Sequence, residues 1–293
     1  MTCVILDLEW NGAWSKVAKG YFNEIIEIGA VRLAEDGTVA DRFDAYIRPT
    51  VSKKLTKLVT DLTGITDEQV ESGISFEKAM QRLAAFVGDG DVILMTWSTT
   101  DLLVFIENCR YFLKEERIPH FTHYVDLQAY GQKRLGTGGN QVSLENFARL
   151  VSIDPDQMEL HHAIDDSVLT ASIFQKVYEP TSFAAALCPM NAEFYRRITF
   201  RTTYISDVNS PLIRRADLRF SCDGCGRNLK RTGNWKFYNR MFFAPFRCEA
   251  CGIEFTGRFQ AKHKYEGVEI KKRLVRKKEK EEQREQQNTA LST

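Results

Sequence analysis

MTCVILDLEW, residues 1–10, is the stretch from which the rest of the chain is read. Cys3 to Leu8 is a short apolar run, the pattern of a buried strand, and Asp7 and Glu9 stand two apart at its end. Alternation along a strand puts both carboxylates on the same face. Two like charges about 4 Å apart repel by roughly 4 kcal/mol at an effective dielectric of 20. A fold holds such a pair at a buried strand end only where cations compensate or one carboxyl keeps its proton. Mg²⁺ and Mn²⁺, hard ions that prefer carboxylate oxygen, are the usual compensation. The stretch lacks a basic n-region and a small-residue cleavage site, so it reads as a first strand and not as a signal peptide.

Working outward, Glu24–Leu33 is rich in Ile and Val and reads as a second strand, and Val39–Ile47 as a third, closed by Pro49. Leu62-Thr63-Gly64-Ile65 punctuates a loop, after which Thr66 caps a short helix with Gln69 as its capping-box partner. Phe76, Ala79, Met80, Leu83 and Val87 recur at helical spacing. Val92–Met95 is another buried strand, residues 101–112 look helical, and Tyr124-Val125 is a strand fragment ending at Asp126. Ser143 caps a helix to Leu150, and a last helix lines up Ile164, Val168, Ala171 and Phe174. Three strands followed by alternating helices and strands predict an α/β domain, a mixed sheet flanked by helices.

Two further acidic groups punctuate that pattern. Asp101 follows Trp97-Ser98-Thr99-Thr100, just after a buried strand and near a helix start; in isolation it reads as a helix cap. His161-His162-Ala163-Ile164-Asp165-Asp166 opens the last helix, where carboxylates also gain from the dipole. Taken in order, these residues resemble the DEDDh 3′→5′ exonuclease superfamily (the RNase T/DnaQ-like proteins, of ribonuclease H-like fold). Asp7 and Glu9 match its first motif, Asp101 its second, and His161 with Asp166 its third. The resemblance runs from Thr2 to about Val177, takes in FNEIIEIGAV and LTGIT, and is nearest to the KapD-like group that includes the histone-mRNA 3′ exonucleases. Asp126 matches a position usually structural in that group.

The resemblance implies a mechanism in which Asp7, Glu9, Asp101 and Asp166 hold two Mg²⁺ or Mn²⁺ ions and His161 is the general base. His161 fits the five-residue spacing to Asp166; His162, one place nearer, is read as a flanking residue. The loop residues Leu62, Thr63 and Ile65 are candidate contacts to the terminal nucleotide. The implied substrate is single-stranded nucleic acid with a free 3′ end, RNA favoured over DNA. A nucleic-acid-binding module without turnover and a polymerase-associated DNA proofreading exonuclease are the alternatives.

Cys222-Asp223-Gly224-Cys225-Gly226 and Cys248-Glu249-Ala250-Cys251-Gly252 are two C-x2-C knuckles, the spacing of a closed four-thiolate Zn²⁺ site in a zinc ribbon. Cationic and aromatic residues lie between them, and Trp235 and Tyr238 are the candidates for stacking on bases while the other aromatics form a small core. Cys3, Cys109 and Cys188 lack paired spacing. With no export signal this cysteine usage points to a reducing, cytoplasmic setting. No apolar run approaches the roughly 20 residues of a membrane span. The net charge of +1 hides an asymmetry: up to Ser210 there are 20 Lys and Arg against 29 Asp and Glu, and beyond it 20 against 10. An acidic body with a basic appendage suits a nucleic-acid partner. The predicted organisation is an exonuclease domain over 1–180, a connector over 181–215, the ribbon over 216–266, and a charged tail over 267–293, helical or disordered.

Overall fold

The computed structural model describes residues 1–138, 140–157 and 162–277. The chain divides into two compact units, Met1–Thr199 and Phe200 onward. In the first, β1 (Thr2–Ser15), β2 (Gly20–Leu33) and β3 (Val39–Tyr46) form an antiparallel meander, followed by α1 (Lys57–Thr63), α2 (Asp67–Glu71) and α3 (Phe76–Val87). Then come β4 (Val92–Thr96), α4 (Thr99–Asn108), β5 (His123–Asp126), α5 (Leu127–Leu135), α6 (Leu144–Leu150) and α7 (Ala163–Val177). The unit closes with α8 (Pro180–Ala186), β6 (Cys188–Pro189) and α9 (Ala192–Ile198). The sheet order is β3-β2-β1-β4-β5-β6, with β4 parallel to β1 and to β5. The expected mixed sheet with flanking helices is therefore the fold.

Strand β1 reads as a continuous apolar run because both faces of the sheet are covered. Val4, Leu6 and Leu8 pack with Phe76, Leu83 and Phe105 on one side. Ile5 packs with Met95, Leu169 and Phe174 on the other. Asp7 and Glu9 continue the Ile5 side, so the carboxylates emerge where the apolar filling of that face stops. Caps set the helix starts: the Thr66–Gln69 capping box is present, and Ser143 accepts from the Asn146 N–H at 3.4 Å. The helix expected over 101–112 is α4 continued by a π-turn over Cys109–Leu113. At their junction, buried Asn108 accepts from Ile25 N–H and donates to Asn23 O, clamping β2.

The second unit is a sheet in the order β12-β11-β10-β8, comprising β8 (Lys230–Arg231), β10 (Met241–Arg247), β11 (Glu254–Lys264) and β12 (Gly267–Arg276). It is joined by β7 (Thr203–Tyr204) and β9 (Lys236–Tyr238).

Two boundaries differ from the sequence reading. Residues 181–199 are not a connector: β6 pairs with β5, Met190 and Tyr195 enter the first core, and the Tyr195 hydroxyl accepts from Ile118 N–H at 3.0 Å. Residues 267–276 are not tail but β12, an edge strand. Their charge hides an alternation in which Val268, Ile270 and Leu274 pack inward while Lys271 and Arg273 are exposed. The rest of the expected tail, 278–293, lies outside the described residues. No helix among the described residues is long and apolar enough to cross a membrane.

Candidate active site and metal centres

Three elements bring the acidic residues together. One ligand oxygen from each of Asp7, Glu9 and Asp166 lies within 4.8 Å of the others. Asp7 and Glu9 come from β1, whose pairing with β2 shifts directly after Glu9 because β2 bulges there at Ile26, and Asp166 comes from the first turn of α7. Bulges recur beside active sites because they re-aim the strand.

Gly29 lets α7 reach that position. It pairs with Asp7 across β1 and β2, and a Cβ there would stand 2.1 Å from both Ala163 C and Ile164 N. The bare backbone therefore seats the helix start, and Ser167 Oγ donates to Gly29 O at 3.0 Å. Glu27, the cross-strand partner of Glu9, accepts from Ala163 N–H at 3.1 Å and stands 3.5 Å from His162 Nδ1. It is only 1% exposed. Glu27 and Gly29 were missed as functional residues. Their signal was an acid embedded between isoleucines and a glycine two places on, within FNEIIEIGAV.

Asp101 lies in the first turn of α4, buried, and its carboxylate accepts from Leu8 N–H, between the two strand carboxylates. The turn before it is held by Ser98, whose φ of 82° is left-handed and whose carbonyl accepts from the Tyr124 hydroxyl at 3.0 Å. Such strained backbone persists where its surroundings over-determine it.

The electrostatics follow from this crowding. Burial, then Asp101, Asp166, Glu9 and Glu27, push the Asp7 carboxyl well above the usual carboxylate range. Burial and the same neighbours raise Glu9 to about 8, and burial raises Asp101 to about 7. Among the described residues no Lys or Arg pairs with Asp7, Glu9 or Asp101. A site of this kind fits hard cations, which would let all the carboxylates ionise together.

The remaining candidates are placed as follows. His161 lies outside the described residues, and His162 flanks the site as the residue before α7. Asp126 caps α5 through Ala129 N–H at 2.9 Å, as expected of a structural residue. Leu62 is exposed, but Thr63 is buried with its hydroxyl donating to Val59 O, and Ile65 is fully buried beside Ile26 and Val70. Ile65 thus offers no side-chain surface to a nucleotide, and 62–63 end α1 instead of forming a loop, with Gly64 as the left-handed cap.

In the second unit, the sulfurs of Cys222, Cys225, Cys248 and Cys251 lie within 4.8 Å of one another. The knuckles are alike. Gly226 N–H returns to Cys222 O and Gly252 N–H to Cys248 O, both at 2.9 Å, and both glycines have φ near +70°. Backbone N–H groups of Cys251 and Ala250 hold the Cys248 thiol down at about 7. This is the donor set and spacing of a tetrahedral thiolate site. Trp235 is half-buried, its ring edge-on to Phe259 at 4.9 Å and to Phe246 at 5.7 Å, packed against the unit's core. Tyr238, 76% exposed, is free of that packing.

A protein-family model, RNase_T exonuclease, matches residues 4–174, which contain every one of the acidic residues described. The chain belongs to this exonuclease family. Probable 3′-5′ exonuclease KapD of Bacillus subtilis is 32% identical over 109 residues, 37% of this chain and 53% of KapD. The PolC-type DNA polymerase III of Thermotoga petrophila is 27% identical over 61% of this chain and 12% of its own length. The DNA polymerase III epsilon subunit of Aquifex aeolicus is 26% identical over 62% of this chain and 83% of its own. The match thus spans about half of KapD and a small part of the polymerase. Among solved structures, the nuclease domain of 3′hExo, a DEDDh family member bound to rAMP, superposes with a TM-score of 0.55 at 20% identity. That match covers 65% of this exonuclease chain and 96% of the domain, and it carries the fold.

Proposed function

We propose that the chain is a metal-dependent 3′→5′ exonuclease that releases nucleoside 5′-monophosphates from single-stranded nucleic acid, RNA in preference to DNA. The observation that carries the reading is the convergence of Asp7, Glu9 and Asp166 within 4.8 Å, with Asp101 tied to the strand between the first two. Asp7, Glu9, Asp101 and Asp166 would hold a pair of Mg²⁺ or Mn²⁺ ions. When bound, such a pair supplies charge stabilisation to a phosphodiester and acidifies a water. His161 is assigned as the base that accepts that water's proton, a task suited to a side chain titrating near neutrality. Leu62 is the terminal-nucleotide contact retained from the sequence candidates. Zn²⁺ is assigned to Cys222, Cys225, Cys248 and Cys251 as a structural ion.

The preference for RNA is supported by the motif resemblance to the KapD-like group. It also accords with the rAMP and the histone mRNA stem-loop named for the solved relatives. The PolC-type and epsilon-subunit matches favour a second reading, DNA proofreading beside a polymerase. Matched RNA and DNA single strands, labelled at the 3′ end and supplied with Mg²⁺, separate the two. The expected result is mononucleotide release, faster on RNA and abolished by Asp7→Ala. Tight binding with no release would remove the enzyme reading, and a preference for DNA with a polymerase captured in pull-down would install the second.

A further inference from the structure

The sheet of the second unit has two unlike faces. Phe242, Phe246, Phe255 and Phe259 point to one, where the described core of the unit lies. The intervening residues point away from it. Strand register sets Lys236 beside Phe243, Phe243 beside Arg258, and Arg258 beside Arg273, a single row across β9, β10, β11 and β12. Neighbouring strands are about 4.8 Å apart, so cations recur along the row with an aromatic ring among them. The Arg258 guanidinium stands 5.5 Å from the Phe243 ring. On the same face, Tyr204 pairs with Lys262, and its ring lies 5.0 Å from the Arg240 guanidinium and 5.3 Å from Lys262 Nζ.

Carboxylates are few here. Glu269 is engaged by Lys264 and Lys271, and Glu254 by Lys277. Among the described residues no ion pair neutralises Lys236, Arg240, Arg258 or Arg273, while Lys262 shares Glu269, its cross-strand neighbour, with Lys264 and Lys271. Like charges held together on an open sheet repel unless something anionic lies over them. The pattern asks for a ligand with both a charge and a flat ring in each repeat, which a nucleic-acid strand has and an acidic peptide lacks.

We propose that this face of the second unit binds single-stranded nucleic acid, its phosphates on Lys236, Lys262 and Arg273 and its bases against Tyr238 and Phe243. The proposal rests on the exonuclease reading only for the choice of strand over other polyanions. It divides the two sequence candidates, since Trp235 packs against the core and Tyr238 belongs to this face.

The test uses the full chain with Mg²⁺ omitted, so that binding is read without cleavage. Its probe is a fluorescent single strand of about 20 nucleotides, long enough for one or two binding sites of this class. The variant Lys236→Gln/Lys262→Gln/Arg273→Gln is expected to lose about tenfold or more in affinity near 100 mM salt. The slope of log K against log salt should fall by about 2, at roughly 0.7 for each phosphate contact removed. Tyr238→Ala, at an exposed site, should cost about fivefold or more. A control variant, Lys78→Gln/Lys114→Gln/Lys176→Gln, makes the same charge change in the first unit. Equal loss from that control, or unchanged affinity and slope in the first variant, would overturn the proposal. If the triple variant fails to fold, Tyr238→Ala decides alone, and wild-type affinity there overturns it. Binding that behaves as expected in a chain releasing no mononucleotide with Mg²⁺ restored would leave this face standing and sink only the exonuclease reading.

Discussion

Opposite Asp7 on the neighbouring strand stands Gly29, and one added methyl there would decide where Asp166 sits. With the new Cβ 2.1 Å from the α7 backbone, Gly29→Ala must push the helix start off the sheet. Overpacking against backbone costs about 3 kcal/mol or more, so a drop in Tm together with loss of nuclease rate is expected. A variant with wild-type Tm and rate would mean that α7 does not depend on this contact. Glu27→Leu tests the adjoining hydrogen bond. It leaves Ala163 N–H buried without its acceptor, at about 1–3 kcal/mol, whereas Glu27→Gln keeps an acceptor and should recover most of the loss in thermal melts. Asp7 and Glu9 were singled out by two-residue spacing at a strand end, and they gained weight only from the order of Asp101, His161 and Asp166 behind them. Glu27 was not, because an acid in an alternating strand reads as the solvent side until a helix is known to cover it. Ile65 failed for the converse reason: a loop motif says which residues lie near a substrate, but not which of them turn inward.

At the scale of elements, the long strands and most helices of the first unit were legible, while α1, α8, β6 and α9 were not. Thr66 with Gln69 announces its helix by chemistry that is entirely local. The two-residue strand β6 carries no such signal and the seven-residue helix α9 only a single cap, Asn191 accepting from Phe194 N–H; both are held in place by β5 and by the pocket that receives Tyr195. A chain ending at 199 should therefore melt cooperatively and cleave a dinucleotide at the parent rate. One ending at 180 removes Met190 and Tyr195 from the core and leaves Ile118 N–H without its acceptor. Its Tm should fall by several degrees for each kcal/mol lost, and equal melting of the two would restore a domain end at 180. β12 was hidden by its charge, and the fold shows why it tolerates so much. Lys272, on the packed face, lays its ammonium 4.7 Å from the Phe220 ring and donates to Arg219 O, while burial lowers its pKa.

For the whole molecule, the charge split at Ser210 anticipated two bodies of opposite character, and the structure places the division close by, after Thr199. The acidic body gathers Asp7, Glu9, Glu27, Asp101 and Asp166 close together, so its stability should depend on pH and on divalent ions together. Glu9 and Asp101 are raised to about 8 and about 7, while unfolded carboxyls titrate near 4. A raised carboxyl contributes its stability in full below the unfolded pKa and loses it as pH rises through the folded one. Without divalent ions, melting temperature attributable to these groups should therefore fall from about pH 5 to pH 8. Other carboxyls, such as Asp223 held down by Arg276, act the opposite way at lower pH, so the comparison is best made between variants. Glu9→Gln removes one of the raised groups. Its Tm advantage over the parent should widen as pH climbs from 5 to 8 in metal-free buffer, and close or reverse when Mg²⁺ is added, because the cation then stabilises the ionised parent. An advantage that stays constant with pH, or that ignores Mg²⁺, would mean that Glu9 is not ionised against its neighbours in this pocket and that the cations the site was read to need bind elsewhere.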